Sequence, residues 1–470
     1  MPDQNARPGG TLFGAVFDRG GVATGDMAWL QALLDAEAGL ARALERAGLA
    51  PAGAGEAVTR AAVAADFSAA EVAEVASASG LTGNPVPGLA RVLARRVPGA
   101  AASAVHQGAT SQDIMDTAAM LLARRAIDVT RRDLLAASAA AARLASVHRD
   151  TLMIGRTLLQ QAVPVTFGLV AAGWLAGLDA AVTGLDDVRA SRLAVQFGGA
   201  AGTLASLGRG AGAGVPALLA EELGLTAAPL PWHTERLRVI DVAVAMARAS
   251  AALGKIARDV TLLAQTEVGE VREGGGEAGG ASGGPRRGGS SAMPNKSNPV
   301  ASVAILGCTR QVPGLLATLV ASAEQEHQRA AGAWHAEWQP FSDILRLAGS
   351  AASWGAELLG GLSVDSARMA ANLAASGGLP LAEQVSGLLA GALGRPRAHD
   401  LVAGAAARAA SSGLPLRDVL LAVPEVEQAG VTAEQLDAAL DPAGYLGASA
   451  QFIDAALRAH EHISEGAFHG

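Results

Sequence analysis

The stretch GGSSAMPNKSNP, Gly288 to Pro299, gathers hydroxyl, amide and ammonium groups from Ser290, Ser291, Asn295, Lys296 and Asn298 in one short segment. The residues before it, Arg272 to Arg287, are nearly half glycine, so a weakly restrained tether leads into a dense polar cluster. A plain Gly/Ser linker has no use for a lone lysine set between asparagines and preceded by Met-Pro, whereas a catalytic lid does. The segment is therefore read as the working loop and the remaining chain as its scaffold.

Outward from the loop, that scaffold reads as helical almost throughout. Leu30, Leu33, Leu34, Ala38, Ala41 and Leu44 recur at helical spacing, with Gln31, Asp35, Arg42 and Arg46 opposite, and Glu37 is the exception inside the apolar stripe. Gly48 and Pro51 end this helix. Long helices are expected over roughly 111–147, 151–184, 186–208, 233–270 and 297–330, while alternating strand patterns are hard to find. From about Ser363 the helices shorten, split by GGLP, GRP, SGLP and DPAG. The expected fold is all-α: an N-terminal helical domain over 1–110, a central long-helix bundle over 111–360 carrying the loop 272–299, and a C-terminal helical domain over 361–470.

At 470 residues, 50% hydrophobic but 3% aromatic, the chain can bury a sizeable core built mainly from Ala, Leu and Val. A net charge of −8 without any long Lys/Arg block speaks against a nucleic-acid partner, yet leaves room for a small acidic substrate in a locally basic cleft. Cys308 is the single cysteine, which rules out an internal disulfide and a multi-cysteine metal site and suits a reducing, cytoplasmic setting. MPDQNARPGG has no apolar core, so no secretory signal is expected. The uncharged run Thr157–Leu178 is long enough to span a membrane; Gln160, Gln161, Pro164 and Thr166 interrupt it, and a helix buried within a bundle is expected instead.

Four further clusters carry candidate chemistry. In HQGATSQDIMDT, His106–Thr117, the residues Thr110, Ser111, Gln112 and Asp113 gather at a helix start, which suits a carboxylate cradle or an ordinary N-cap. GRTLLQQAVPVTFG, Gly155–Gly168, places Arg156, Thr157 and Gln160 at the head of an apolar segment, with a substrate carboxylate or a scaffold acid as the partner for Arg156. PWHTERLR, Pro231–Arg238, offers His233 as a donor to an anion or as a structural histidine. QEHQRAAGAWHAEW, Gln325–Trp338, reads as interhelical hydrogen bonding. The terminal His460 and His462 lack a third ligand, so no metal site is expected.

Taken together these blocks carry a resemblance. GSSAMPNKSNP resembles the signature loop of the fumarase/aspartase superfamily. HQGATSQDIMDT, GRTLLQQAVPVTFGLVAAGWL, QFGGAAGT, PWHTER, EHQRAAGAWHAEW, GRPRAHDLV and DPAGYLGA resemble its 3-carboxy-cis,cis-muconate cycloisomerase branch. The resemblance implies a three-part fumarase/aspartase-like helical subunit. It also implies a homotetramer in which each active site collects segments of three subunits, a small di- or tricarboxylate substrate, and no cofactor. By position it makes Ser290 the catalytic base, lets Lys296 and Asn298 polarise the substrate carboxylate, and has Thr110, Ser111, Gln112 and Thr157 line the anion site, with His233 facing substrate.

Superfamily members abstract a proton beside a carboxylate and pass through a doubly charged aci-carboxylate, which needs preorganised donors and positive charge. Ser290 would be activated on loop closure, with Lys296 and backbone dipoles lowering its pKa. Where fumarase and adenylosuccinate lyase carry an acid histidine and its orienting glutamate, this chain has Leu158 and Val303. A hydroxide or amine leaving group needs a proton, but a carboxylate or nitrite departs as a stable anion. Cycloisomerisation of 3-carboxy-cis,cis-muconate to 4-carboxymuconolactone is thus the expected reaction, with β-elimination from a substrate such as nitrosuccinate as the alternative. Retention of Ser290, Lys296 and Asn298 speaks against a purely structural use of the scaffold. Against the branch pattern, the tether is long, NKSNP stands where a histidine and an arginine are commoner around the lysine, and Leu158 replaces a frequent tryptophan.

Overall fold

The computed structural model describes residues 12–274, 288, 289, 293 and 296–467. Its principal elements in chain order are α1 (Asp26–Arg46), α2 (Ser111–Val147), β1 (Leu152–Thr157), β2 (Gln160–Thr166), α3 (Phe167–Ser191), α4 (Leu237–Leu263) and β3 (Val271–Glu273). They continue with α5 (Val300–Thr309), α6 (Val312–Ala321), α7 (Ala333–Gly360), β4 (Leu362–Val364), α8 (Ala382–Leu393) and α9 (Arg395–Ser412). The strands among the described residues form three two-stranded pairs, so the molecule is helical with small β elements at its turns. Two compact units emerge, the first from 1–134, 181–254 and 304–354, the second from 135–180, 255–303 and 355–470.

In the first unit, the apolar stripe of α1 is fully used: Leu33, Leu34, Leu40 and Leu44 are buried together with Leu89, Leu93 and Leu121. Burying each such leucine contributes about 2 kcal/mol. A charged triad fixes the same unit: buried Arg236, before α4, pairs with Asp116 of α2 at 2.8 Å and Glu337 of α7 at 2.7 Å, while the Trp334 indole donates to Asp116. Two carboxylates on one guanidinium leave a surplus negative charge in a dry site. Burial, only partly offset by Arg236, raises the pKa of Glu337.

In the second unit, α8 and α9 pack through Val385, Leu389, Leu401 and Val402 onto Leu416, Leu420 and Leu436, the short helices expected beyond Ser363. The run 151–184, expected as one helix, instead opens with the antiparallel hairpin β1–β2 before α3 begins at Phe167. Leu158 and Leu159 make its two-residue turn with φ of +51° and +67°. Other expected bounds shift too: 186–208 stays helical only to Ser191 before giving way to irregular chain, and 297–330 divides at Arg310–Gln311 into α5 and α6. The 111–147 helix stands as expected.

Two stretches, Phe167–Ser191 and Val300–Ala321, are long and apolar enough to cross a membrane by composition. For the first, 61% of the most apolar window is already buried, as in a core helix, whereas for the second the share is 28%.

Candidate functional site

In the first unit the site is organised around Asp113, fully buried in the first turn of α2. Its carboxylate accepts the backbone N–H groups of Thr110 (2.9 Å), Gly198 (3.0 Å) and Gly199 (2.9 Å) and lies 2.7 Å from His233 Nε2. Because Asp113 takes the Thr110 N–H, the helix entry is tied from within and Thr110 and Ser111 need not cap it. Among the described residues their half-buried hydroxyls have no hydrogen-bond partner, which leaves them open to a ligand. Gln112 is different: buried, it donates to the His233 carbonyl (2.8 Å) and accepts from Arg329 (2.9 Å), so it is a scaffold residue here. His233 is likewise buried, with its Nε2 on Asp113.

Arg329, read in the sequence only as one of a block of interhelical hydrogen-bonding residues, does make such bonds: it donates to the Gln112 side-chain oxygen and to the Ala200 carbonyl (2.9 Å each). This also brings a cation to the loop at 196–203 and the start of α2, a placement the sequence did not indicate. The neighbouring Glu337 and Trp334 do make the expected interhelical bonds.

In the second unit, Arg156, Thr157 and Gln160 stand on the hairpin rather than at a helix head, Thr157 paired with Gln160 across the Leu158–Leu159 turn. A bulge lies between Ile154 and Arg156, where a side chain on Gly155 would meet the Val163 carbonyl at 2.6 Å. Bulges re-aim the next side chain. Here Arg156 forks onto the fully buried Glu270, at 2.8 and 2.7 Å, so its partner is the scaffold acid and not an open anion site. Asn372 adds a third donor to Glu270. The hairpin and α4 border a groove of about 720 Å³, lined in part by Thr157, Leu158, Leu159, Lys255 and Leu262.

The signature loop is fastened at both ends. Glu273 of β3 accepts the N–H groups of Ala301 (2.9 Å) and Ser302 (2.8 Å) and the Ser302 hydroxyl (2.6 Å), a carboxylate on the N-terminus of α5. Gly274 donates to the Gly361 carbonyl (2.9 Å). At the far side Gly289 bridges Ser297, and the Gly288 carbonyl accepts both the backbone N–H (2.9 Å) and the side-chain amide (3.1 Å) of Asn298. Gly288 has φ of +76°, and a side chain there would meet the Asn298 carbonyl at 2.4 Å. Asn298, expected on substrate, therefore spends an amide proton on closing the loop. Lys296 is exposed and, among the described residues, has no ion-pair partner. Ser290, with Ser291 and Asn295, lies outside the described residues.

Leu158 is 96% exposed at the hairpin tip and Val303, in the first turn of α5, is 58% exposed. Neither position holds a proton donor.

Comparison with known proteins bears on the whole chain. A family described as lyase matches residues 23–314, and one described as adenylosuccinate lyase C-terminus matches 378–456. The chain is 45% identical to a nitrosuccinate lyase of Streptomyces davaonensis, over 93% of this chain and 91% of that protein. It is 43% identical to a 3-carboxy-cis,cis-muconate cycloisomerase of Bradyrhizobium diazoefficiens, over 92% of this chain and 94% of that protein. Among solved structures, the 3-carboxy-cis,cis-muconate lactonizing enzyme from Pseudomonas putida matches with a TM-score of 0.87 at 40% identity, over 96% of this chain and 99% of that one.

Proposed function

Since the chain belongs to the lyase family of the fumarase/aspartase superfamily, we propose that it is a cycloisomerase acting between 3-carboxy-cis,cis-muconate and 4-carboxymuconolactone. The observation that carries this reading is the apolar pair Leu158 and Val303 where a superfamily acid and its orienting partner would stand. In the lactonising direction a muconate carboxylate oxygen bonds to the far carbon of a double bond, and the electron pair moves to the carbon beside another carboxylate. Ser290 returns a proton to that carbon. In reverse, the Ser290 alkoxide takes the proton and the lactone C–O bond breaks, releasing a carboxylate that needs no acid.

Lys296, exposed and unpaired among the described residues, is assigned to the carboxylate on which negative charge accumulates, and Asn298 to shaping the loop that carries it. Thr110 and Ser111, with open hydroxyls, and Thr157 on the hairpin are assigned to the anion site. Gln112, His233, Arg156 and Gln160 act as its supports. The step calls for no cofactor. We also place the enzyme in the cytoplasm as a homotetramer with active sites shared between subunits and with domains at 1–110, 111–360 and 361–470.

A second reading, β-elimination of nitrite from nitrosuccinate, is favoured by the 45% identical relative and needs the same Ser290 and the same missing acid. Purified protein assayed by ultraviolet absorbance decides between them. Rapid loss of diene absorbance from 3-carboxy-cis,cis-muconate, abolished in Ser290→Ala with the fold retained, is the expected outcome. Fumarate and nitrite from nitrosuccinate, with no change in the diene, overturns the cycloisomerase reading in favour of the second.

A further inference from the structure

Glu270 is fully buried, and its carboxylate is held from two separate elements of the second unit. Arg156 of β1 forks onto it at 2.8 and 2.7 Å, and the Asn372 amide, on the helix Ser366–Ala374, donates to Oε1 at 2.8 Å. The main chain of Glu270 is tied as well: its N–H donates to the Leu263 carbonyl and its carbonyl accepts from Asp365, each at 2.9 Å. Asn372 donates also to the Val268 carbonyl (2.8 Å), and Arg368 of the same helix to the carbonyls of Val268 (3.0 Å) and Glu267 (2.8 Å). The turn at 267–270 is thus gripped by the hairpin and by this helix together.

Strand β3 begins at the next residue. It runs antiparallel to β4, with Val271 opposite Val364 and Glu273 opposite Leu362, and Glu273 at its end holds the N-terminus of α5 through Ala301 and Ser302. The hairpin that carries Thr157 and the α5 foot of the loop that carries Lys296 are therefore fastened to one short strand, through Glu270 at its start and Glu273 at its end. Stability alone does not call for the first of these fastenings. A buried ion pair gives up its hydration, and apolar side chains of similar size hold a core as well or better. What the two-pronged Arg156 bond adds is a fixed distance and angle.

We propose that Glu270 is a positioning residue, with Asn372 as its second anchor, and that it holds the hairpin and the foot of the signature loop in one fixed relation, so that loosening at the first is felt at the second. This deepens the functional reading above and rests on it for taking Thr157 and Lys296 as working residues. Glu270 touches neither of them and acts through Arg156 on one side and through β3 and Glu273 on the other. A purely local ion pair would steady the hairpin and leave the N-terminus of α5 indifferent to its loss. A brace makes the two respond together.

Native-state hydrogen exchange, which needs no substrate, is measured on the hairpin amides, on the Ala301 and Ser302 amides that Glu273 holds, and on the α8–α9 pair as an internal reference. In the double variant Arg156→Met/Glu270→Gln, which leaves no buried charge unpaired, exchange should quicken on the order of tenfold in the hairpin and at Ala301 and Ser302, with α8 and α9 unchanged. Steady-state kinetics with 3-carboxy-cis,cis-muconate should show kcat down on the order of a hundredfold, the effect of misplacing a working group by about 1 Å. Arg156→Lys keeps the cation but loses the fork, so its melting temperature should stay near wild type while kcat still falls. Asn372→Leu leaves the ion pair whole and should quicken both sets of amides by a smaller factor, which decides the matter if the double variant folds poorly. Quickening confined to the hairpin, equal quickening in α8 and α9, or wild-type kcat in Arg156→Lys overturns the proposal. Joint quickening of hairpin and α5 in a protein that leaves the muconate unchanged would instead sink the assigned reaction and leave the brace standing.

Discussion

Replacing Leu158 by Asn and Leu159 by Gly should make the β1–β2 hairpin harder to open. The turn needs φ > 0 at both central residues, the geometry for which Asn-Gly is the favoured pair and Leu-Leu a poor one. Relief of about 1 kcal/mol at each position gives a gain of about 2 kcal/mol. Against this stands the burial lost: Leu158 is 96% and Leu159 74% exposed, so only about a quarter of one leucine leaves a contact, which costs about 0.5 kcal/mol. The net gain of about 1.5 kcal/mol should appear as roughly tenfold slower exchange of the hairpin amides in the opening-limited equilibrium regime. Native-state hydrogen exchange across Leu152–Thr166 measures it, and a turnover assay on the same variant should show a loss, because the apolar tip is retained at the expense of strain. Faster exchange in the variant would refute the reasoning, for it would mean that the two leucines are held by something outside the protomer and that burial, not strain, dominates the turn.

Arg236→Met should destabilise the first unit by about 3–5 kcal/mol, since it strands Asp116 and Glu337 without their cation; a urea midpoint within error of wild type would contradict this. Glu337→Gln should be neutral or stabilising at pH 7. The raised pKa means that the native state holds its proton longer than the unfolded chain, so wild-type stability should fall as pH climbs from the ordinary carboxylate range through the raised value, and this slope should flatten in the variant. Glu270→Gln should cost about 3 kcal/mol by breaking the two-pronged bond to Arg156, read by thermal melting and absent when Arg156→Met is already in place. Gly288→Ala should lower turnover at least about tenfold while the melting temperature moves little, because its side chain would push on the Asn298 carbonyl at the loop base.

Helix patterning carried the sequence reading far. The α1 stripe and the full span of α2 follow from apolar spacing and from the polar helix start at Ser111, and the short helices beyond Ser363 from their Gly and Pro breaks. The hairpin escaped because its signals are inverted: Leu-Leu occupies the turn where Asn-Gly would announce one, and an uncharged run through Thr157–Leu178 imitates a buried helix. Glu37 was visible as an anomaly in its stripe, but its partner His106 lies 69 positions away and only folding names it. Arg329 and Gln112 meet across 217 positions, a pairing that no local pattern encodes. Charged side chains with scaffold partners, such as Arg156 on Glu270, read in a single sequence like those awaiting substrate.

The fastening of the signature loop bears on how such an enzyme can change over evolutionary time. Glu273 on the α5 terminus and Gly288 on Asn298 act as two posts, and Lys296 is placed by the second post whatever the span between them. Closing a span between fixed posts grows only with the logarithm of its length, about 0.6 kcal/mol for each doubling. Insertions between Gly274 and Gly288 are thus nearly neutral to the placement of Lys296, which makes the glycine-rich tract a place where length can be edited by simple duplication without disturbing the Gly288–Asn298 tie.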